Sequence, residues 1–304
     1  MITLCEVGPR DGLQNEDKHV STEHKVKLIE QLINSGVTKI EAVSFVHPKV
    51  VPQMADAEQV LAGIGNQQKI EIAGLVLNRG GFKRAIQTQI DRVHIAAATS
   101  DTFNIKNAKK SVQDGVNELS EVTSDAVGSN YPVTAILATS FGCPYEGKVD
   151  PNTVFQAVES FLESGADEIV LADTTGMANP YQVQDMIGSF RRSFGKDIPL
   201  GLHFHNTRGL GLANVLAGYE AGVRRFDASI GGLGGCPFAP KAVGNVCSED
   251  MIHMFDEMGV ETGVNLEKMI QTSQQLEKWI EKTLEGLVMK AGAASVNGGK
   301  GECN

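Results

Sequence analysis

No stretch of the 304 residues approaches the about 20 consecutive apolar positions that a membrane span needs, and the N-terminus carries Glu6, Arg10 and Asp11 where a cleaved leader needs an apolar core. A cytoplasmic protein without a membrane partner is the expectation. Long runs of Lys or Arg are equally absent. With 27 basic and 37 acidic residues the formal net charge is −10, which argues against nucleic acid or an anionic membrane surface as the main partner. Cysteine is scarce and unpatterned: Cys5, Cys143, Cys236, Cys247 and Cys303, five in all, form neither a CxxC pair nor a disulfide framework, so reduced thiols are expected.

What the chain does have is apolar content of 41% against 21% charged, enough to bury a large core. Short β-rich runs recur at intervals of roughly 30 residues, each followed by a segment of helical period. Eight can be counted, at 2–7, 39–45, 70–77, 92–98, 133–139, 168–173, 200–205 and 225–230. The runs are apolar enough to be buried on both faces, while segment 23–34 places Val26, Leu28, Ile29, Leu32 and Ile33 on one helical stripe. Ser21 is the expected N-cap of that helix, and Asn34-Ser35-Gly36 its stop. Eight such units close into a (β/α)8 barrel. The reading is one catalytic domain over 1–290, with extra helices at 265–285 and a Gly-rich, flexible tail at 291–304.

In this architecture chemistry sits at the C-terminal ends of the strands. There the chain places Arg10 and Asp11 after the first run, Glu41 in the second, Asn78 after the third, Asp173 at the end of the sixth, His203 and His205 on the seventh, and the loop Gly231 to Cys236 after the eighth. His203 and His205 stand at i and i+2, which aims both imidazoles at one face of a strand. Taken alone the pair is either two hydrogen-bonded core histidines or two metal ligands. Asp11 at the same mouth supplies the hard oxygen of a mixed N/O site and favours the second reading, with Mg²⁺ or Mn²⁺ as the ion. Cys236 follows Gly231-Gly-Leu-Gly-Gly235, and is either a small residue in a tight turn or a reactive thiol on a closing loop. Cys5 and Cys247 lack that context and read as packing residues.

The segments Gly8-Pro-Arg-Asp-Gly-Leu-Gln-Asn15, Ser44-Phe45, Val51-Pro-Gln-Met54, Gly142-Cys-Pro-Tyr-Glu-Gly147 and Gly231-Gly-Leu-Gly-Gly-Cys-Pro237 resemble the hydroxymethylglutaryl-CoA lyase family. The Arg-Asp motif and His-x-His are shared with a wider superfamily of barrel lyases and synthases, and the cysteine-containing glycine loop is similar to the lyase branch. The resemblance implies metal ligation by Asp11, His203, His205 and Asn245, with catalytic roles for Arg10, Asp11, Glu41, Asp173, His203 and Cys236. It further implies an acyl-CoA substrate, cleavage of 3-hydroxy-3-methylglutaryl-CoA to acetyl-CoA and acetoacetate, a place in leucine degradation and ketone-body metabolism, and a homodimer. Gln14, Ser44 and Asn78, with Lys49, Lys106, Asn107 and Lys110, are the candidates for holding substrate and CoA. Glu41 and Asp173 either orient the catalytic groups or form a buried ion pair that holds the mouth together.

Departures from the lyase pattern fall around substrate rather than metal. Asp17 stands where Lys is usual, His47 and Val50 stand where Ser and Trp are usual, and Pro240-Lys-Ala-Val243 replaces a Gly-containing segment. They keep open a methylmalyl- or citramalyl-CoA type of substrate. A condensing acyl-CoA synthase and a non-catalytic acyl-CoA binder rank lower, the first because the 74 residues after the eighth run leave little room for a regulatory domain beside the extra helices.

Overall fold

The computed structural model describes residues 1–235 and 244–294, the Asn107 side chain excepted. Eight strands form where the apolar runs fall: β1 Thr3–Glu6, β2 Lys39–Ser44, β3 Glu71–Leu75, β4 Arg92–Ala98, β5 Val133–Ala138, β6 Glu168–Asp173, β7 Leu200–Phe204 and β8 Arg225–Ala228. All pair in parallel and in sequence order, and β1 also pairs with β8, so the sheet closes into a (β/α)8 barrel. Every residue of β6, β7 and β8 is buried, as expected of strands covered by helices outside and side chains inside.

Several strands end before their apolar runs do. The run 225–230 gives β8 only to Ala228, because Ile230–Gly232 turns back as a short 3₁₀ segment with Gly231 at φ 62°. The run 70–77 likewise pairs only over Glu71–Leu75. Helix α1, Thr22–Asn34, starts where Ser21 accepts from the His24 N–H at 3.3 Å. Its stripe buries Leu28, Ile29 and Leu32 fully, with Val26 and Ile33 partly buried against the same core. The remaining barrel helices are α2 Ala57–Ile64, α3 Arg79–Ala85, α4 Asp101–Ala108, α5 Val112–Gly128, α6 Pro151–Glu163, α7 Pro180–Phe194 and α8 Gly211–Glu220.

Beyond the barrel come α9 Ser248–Glu257, α10 Leu266–Ile280 and α11 Val288–Ala291. The helical segment expected at 265–285 is thus α10, capped by the Asn265 side chain and ending at Ile280. It docks on α1, where Trp279 stacks on His24 at 4.6 Å between ring centroids.

Five strands begin with a charged residue, Lys39, Glu71, Arg92, Glu168 and Arg225, and parallel register brings these together at the N-terminal floor. Signs alternate in chain order from Lys39 to Arg225: Lys39 pairs with Glu71 at 3.1 Å and Glu168 at 3.5 Å, Arg92 with Glu71 at 3.0 Å, and Arg225 with Glu168 at 2.9 Å. Burial pushes the Glu168 carboxyl up, but Arg225, Lys39 and Arg92 together outweigh it and hold it at about 2. A folded value below the unfolded one stabilises the fold above the ordinary carboxylate range, near 4.5, and that stability is lost as pH falls from there towards 2. Glu168→Gln is therefore expected to lower stability at pH 7 by up to about 3 kcal/mol and to flatten its decline across that acid window, read from urea midpoints at several pH values.

Candidate metal centre and active site

The site begins with the turn that follows β1. After Val7 the chain makes one π-helical turn, Gly8–Gly12, in which the N–H groups of Arg10, Asp11 and Gly12 all converge on the Val7 carbonyl. Gly8 is required there: a Cβ would lie 2.6 Å from Glu6 Oε1 and 2.8 Å from Ile230 Cγ2. The turn directs two consecutive charged side chains, Arg10 and Asp11, into the barrel mouth, where both are buried.

Opposite them, His203 on β7 and His205 immediately after it are buried, with ring centroids 5.2 Å apart. Asp11, His203 and His205 each bring a ligand atom to one point, all within 4.8 Å of one another. Asn245 joins them through an antiparallel bridge to His205. Its Nδ2 donates to Asp11 Oδ2 at 2.8 Å and to the Leu233 carbonyl at 3.0 Å, while its Oδ1 is buried with no hydrogen-bond partner among the described residues. An orphaned amide oxygen beside a carboxylate and two imidazoles is the donor set a divalent cation completes, and its two oxygens and two nitrogens, without thiolate, suit Mg²⁺ or Mn²⁺.

Charges around this point are coupled. Burial pushes the Asp11 carboxyl up, but Arg10, His203 and His205 and the Asn245 hydrogen bond hold it below the ordinary carboxylate range. Burial depresses His203, yet the hydrogen bond and charge of Asp227, with Asp11, carry it above the usual histidine value. Arg10 Nη1 donates to Asp11 Oδ1 at 2.7 Å, and its Nε pairs with Glu41 Oε1. Glu41 Oε2 meets His94 Nδ1 at 2.8 Å, and Gln14 Nε2 donates to Asp11 Oδ1 at 3.0 Å. Burial of Glu41 is outweighed by Arg10 and His94, so its carboxyl stays far below the usual range.

Other expected site residues are placed differently. Asp173 turns its carboxylate onto backbone, accepting from the Met177 and Ala178 N–H groups at 2.9 Å each, and so shapes the loop into α7. Burial raises it above its ordinary value despite those bonds. Ser44, buried at the end of β2, accepts from the Val46 N–H at 3.3 Å. Asn78 caps α3, accepting from the Gly81 N–H at 2.9 Å. Lys49 is exposed, Lys106 lies 4.9 Å from the Tyr145 ring centroid, and Lys110 pairs with Glu118. Cys236 lies outside the described residues, as does the Asn107 side chain. The loop leading to Cys236 is nonetheless fixed to the site: Gly234 stands at φ 125°, and a Cβ there would run into Asn245 Nδ2.

The sequence reading missed Asp227 and His94. Each is a buried polar side chain within a strand, on β8 and β4, and each touches a site residue: Asp227 Oδ2 lies 3.1 Å from His203 Nδ1, and His94 lies on Glu41. A polar residue inside an otherwise apolar strand run was the available signal.

A closed parallel barrel with an Asp11, His203 and His205 group that could hold a metal ion, beside a buried Arg10 at its C-terminal mouth, has the make-up of a metal-dependent barrel enzyme. A family model described as HMGL-like matches residues 1–276, so the chain belongs to that family and is an enzyme of the lyase class. It is 41% identical over 283 residues to hydroxymethylglutaryl-CoA lyase YngG of Bacillus subtilis, covering 93% of each chain. It is 39% identical over 301 residues to (R)-citramalyl-CoA lyase of Chloroflexus aurantiacus, covering 96% of this chain and 95% of that one. Among solved structures, an HMG-CoA lyase from Acinetobacter baumannii in complex with coenzyme A and 3-methylmalate superposes with a TM-score of 0.93 at 42% identity, over 97% of this chain and 96% of that one.

Proposed function

We propose that the chain cleaves 3-hydroxy-3-methylglutaryl-CoA to acetyl-CoA and acetoacetate, with Mg²⁺ or Mn²⁺ held by Asp11, His203, His205 and Asn245. The observation that carries this is the Asp11, His203 and His205 group, whose ligand atoms lie within 4.8 Å of one another, with Arg10 beside it and Asn245 hydrogen-bonded to Asp11 while its own Oδ1 is buried without a hydrogen-bond partner among the described residues. When bound, the ion polarises substrate oxygens and lowers the pKa of a tertiary hydroxyl. The hydroxyl proton passes to Asp11 or His203, the bond between C2 and C3 breaks, and its electron pair moves into the thioester as an enolate. Arg10, a permanent cation fixed by Asp11 and Glu41, stabilises the enolate oxygen. Protonation of the acetyl-CoA carbanion by the Cys236 thiol completes the products. Lys49, Lys106, Asn107 and Lys110, with Gln14, Ser44 and Asn78, form the substrate and CoA side of the site. The working unit is a homodimer, for which a sizing measurement at twice the chain mass is expected.

A second substrate of the same class, a citramalyl-CoA, is favoured by two observations. The chain is 39% identical over 301 residues to (R)-citramalyl-CoA lyase, and it carries His47 and Val50 where the lyase pattern has Ser and Trp. Incubating the purified protein with Mn²⁺ and each thioester separates the two: acetoacetate marks the first substrate and pyruvate the second, both with acetyl-CoA. Cys236→Ser is expected to slow product formation with Mn²⁺ still bound. Cleavage of neither thioester would remove the proposal.

A further inference from the structure

Asp227 is not a ligand, yet it is the residue on which His203 rests. It stands on β8 with its side chain 2% exposed, and its Oδ2 lies 3.1 Å from His203 Nδ1. Its other oxygen, Oδ1, lies 2.8 Å from Arg225 Nη1, close enough to pair although not aligned for a hydrogen bond. Arg225 Nε lies 2.9 Å from Glu168 Oε1, again an ion pair without an aligned hydrogen bond, so a chain of charge runs from the barrel floor up to the histidine. A carboxylate oxygen accepts and does not donate, so the 3.1 Å contact makes His203 Nδ1 the donor. A neutral imidazole that gives its proton to one nitrogen keeps a lone pair only on the other.

We propose that Asp227 is the positioning residue of the metal centre: it locks His203 in the Nδ1–H tautomer and so presents Nε2 to the cation. This rests on the metal reading given above. Arg225 contributes by holding Asp227 in the orientation that serves His203.

Asp227→Asn is the discriminating variant, because it conserves shape and inverts the chemistry. Arg225 has only donors, so the new amide turns its oxygen to Arg225 and its NH₂ to His203 Nδ1. That forces the proton onto Nε2 and blocks the ligand. The expected result is a 10- to 100-fold weaker Mn²⁺ affinity, the range typical for losing a group that orients a ligand, measured by paramagnetic resonance titration without substrate. Asp227→Glu, which keeps the acceptor, is expected to recover part of that affinity. Imidazole ¹⁵N shifts of the wild-type protein without metal, at a pH where the ring is neutral, should show His203 protonated at Nδ1. Wild-type affinity in a folded Asp227→Asn protein, or a wild-type His203 protonated at Nε2, would overturn the assignment while leaving the metal reading intact. Failure of the wild type itself to bind Mn²⁺ would overturn both. If Asp227→Asn does not fold, the ¹⁵N shifts still decide.

Discussion

Asp11→Ala is expected to abolish Mn²⁺ binding and to lower metal-dependent turnover by about 10³-fold or more, with the barrel still folded. In the proposed metal site the carboxylate gives one oxygen to the cation; it also accepts from Asn245 Nδ2 and Gln14 Nε2 and neutralises Arg10, so four groups lose their common partner. Arg10 still has Glu41, which is why the fold is expected to survive. The measurement is a Mn²⁺ titration beside a circular dichroism melt. A folded variant that binds Mn²⁺ as the wild type does would show that the donor cluster is not the metal centre.

Glu41→Ala is expected to be the most destabilising single change at the mouth, by about 3–5 kcal/mol, because it strands a buried guanidinium and deprives His94 of its partner. Urea unfolding reads the loss. The double variant R10M/E41M tests the cause, since replacing a buried ion pair by apolar side chains of similar volume is often neutral for stability. It is expected to regain most of the lost stability and none of the turnover, because the proposed mechanism assigns Arg10 the charge that the developing enolate needs. If the double variant stays as unstable as Glu41→Ala, packing of Glu41 rather than its charge holds this part of the barrel.

The fold was legible because a strand buried on both faces reads as a mostly apolar run and a surface helix is apolar only along one stripe, and the chain follows both patterns from 2–7 to 225–230, with charged residues at strand starts and polar ones at the site. Boundaries were less so. An apolar run does not say where hydrogen bonding stops, and Ile230 is as buried in its turn as it would be in a strand. In the site, His203 and His205 were legible because period two leaves one direction for both, and Asp11 because it follows the first run directly. Asn245 was reached only through resemblance: nothing local distinguishes it from any loop asparagine.

Asp173 shows the opposite case. Its position at the end of β6 matched the expectation for a mouth residue, but the carboxylate accepts the Met177 and Ala178 amides, a choice set by how the following loop folds.

By itself, then, the amino-acid order determined eight strands, their succession and the side of the barrel on which polar groups gather, since burial periodicity and parallel winding are properties of short segments. Which of those groups touch was decided only by the pairing and register of the strands. Asp227 meets His203 because β8 lies beside β7 in a register that sets the two residues side by side, and Arg225 meets Glu168 across the intervening β7. A carboxylate's partner is chosen by distances of a few ångströms between residues far apart in the chain, and no local pattern encodes those.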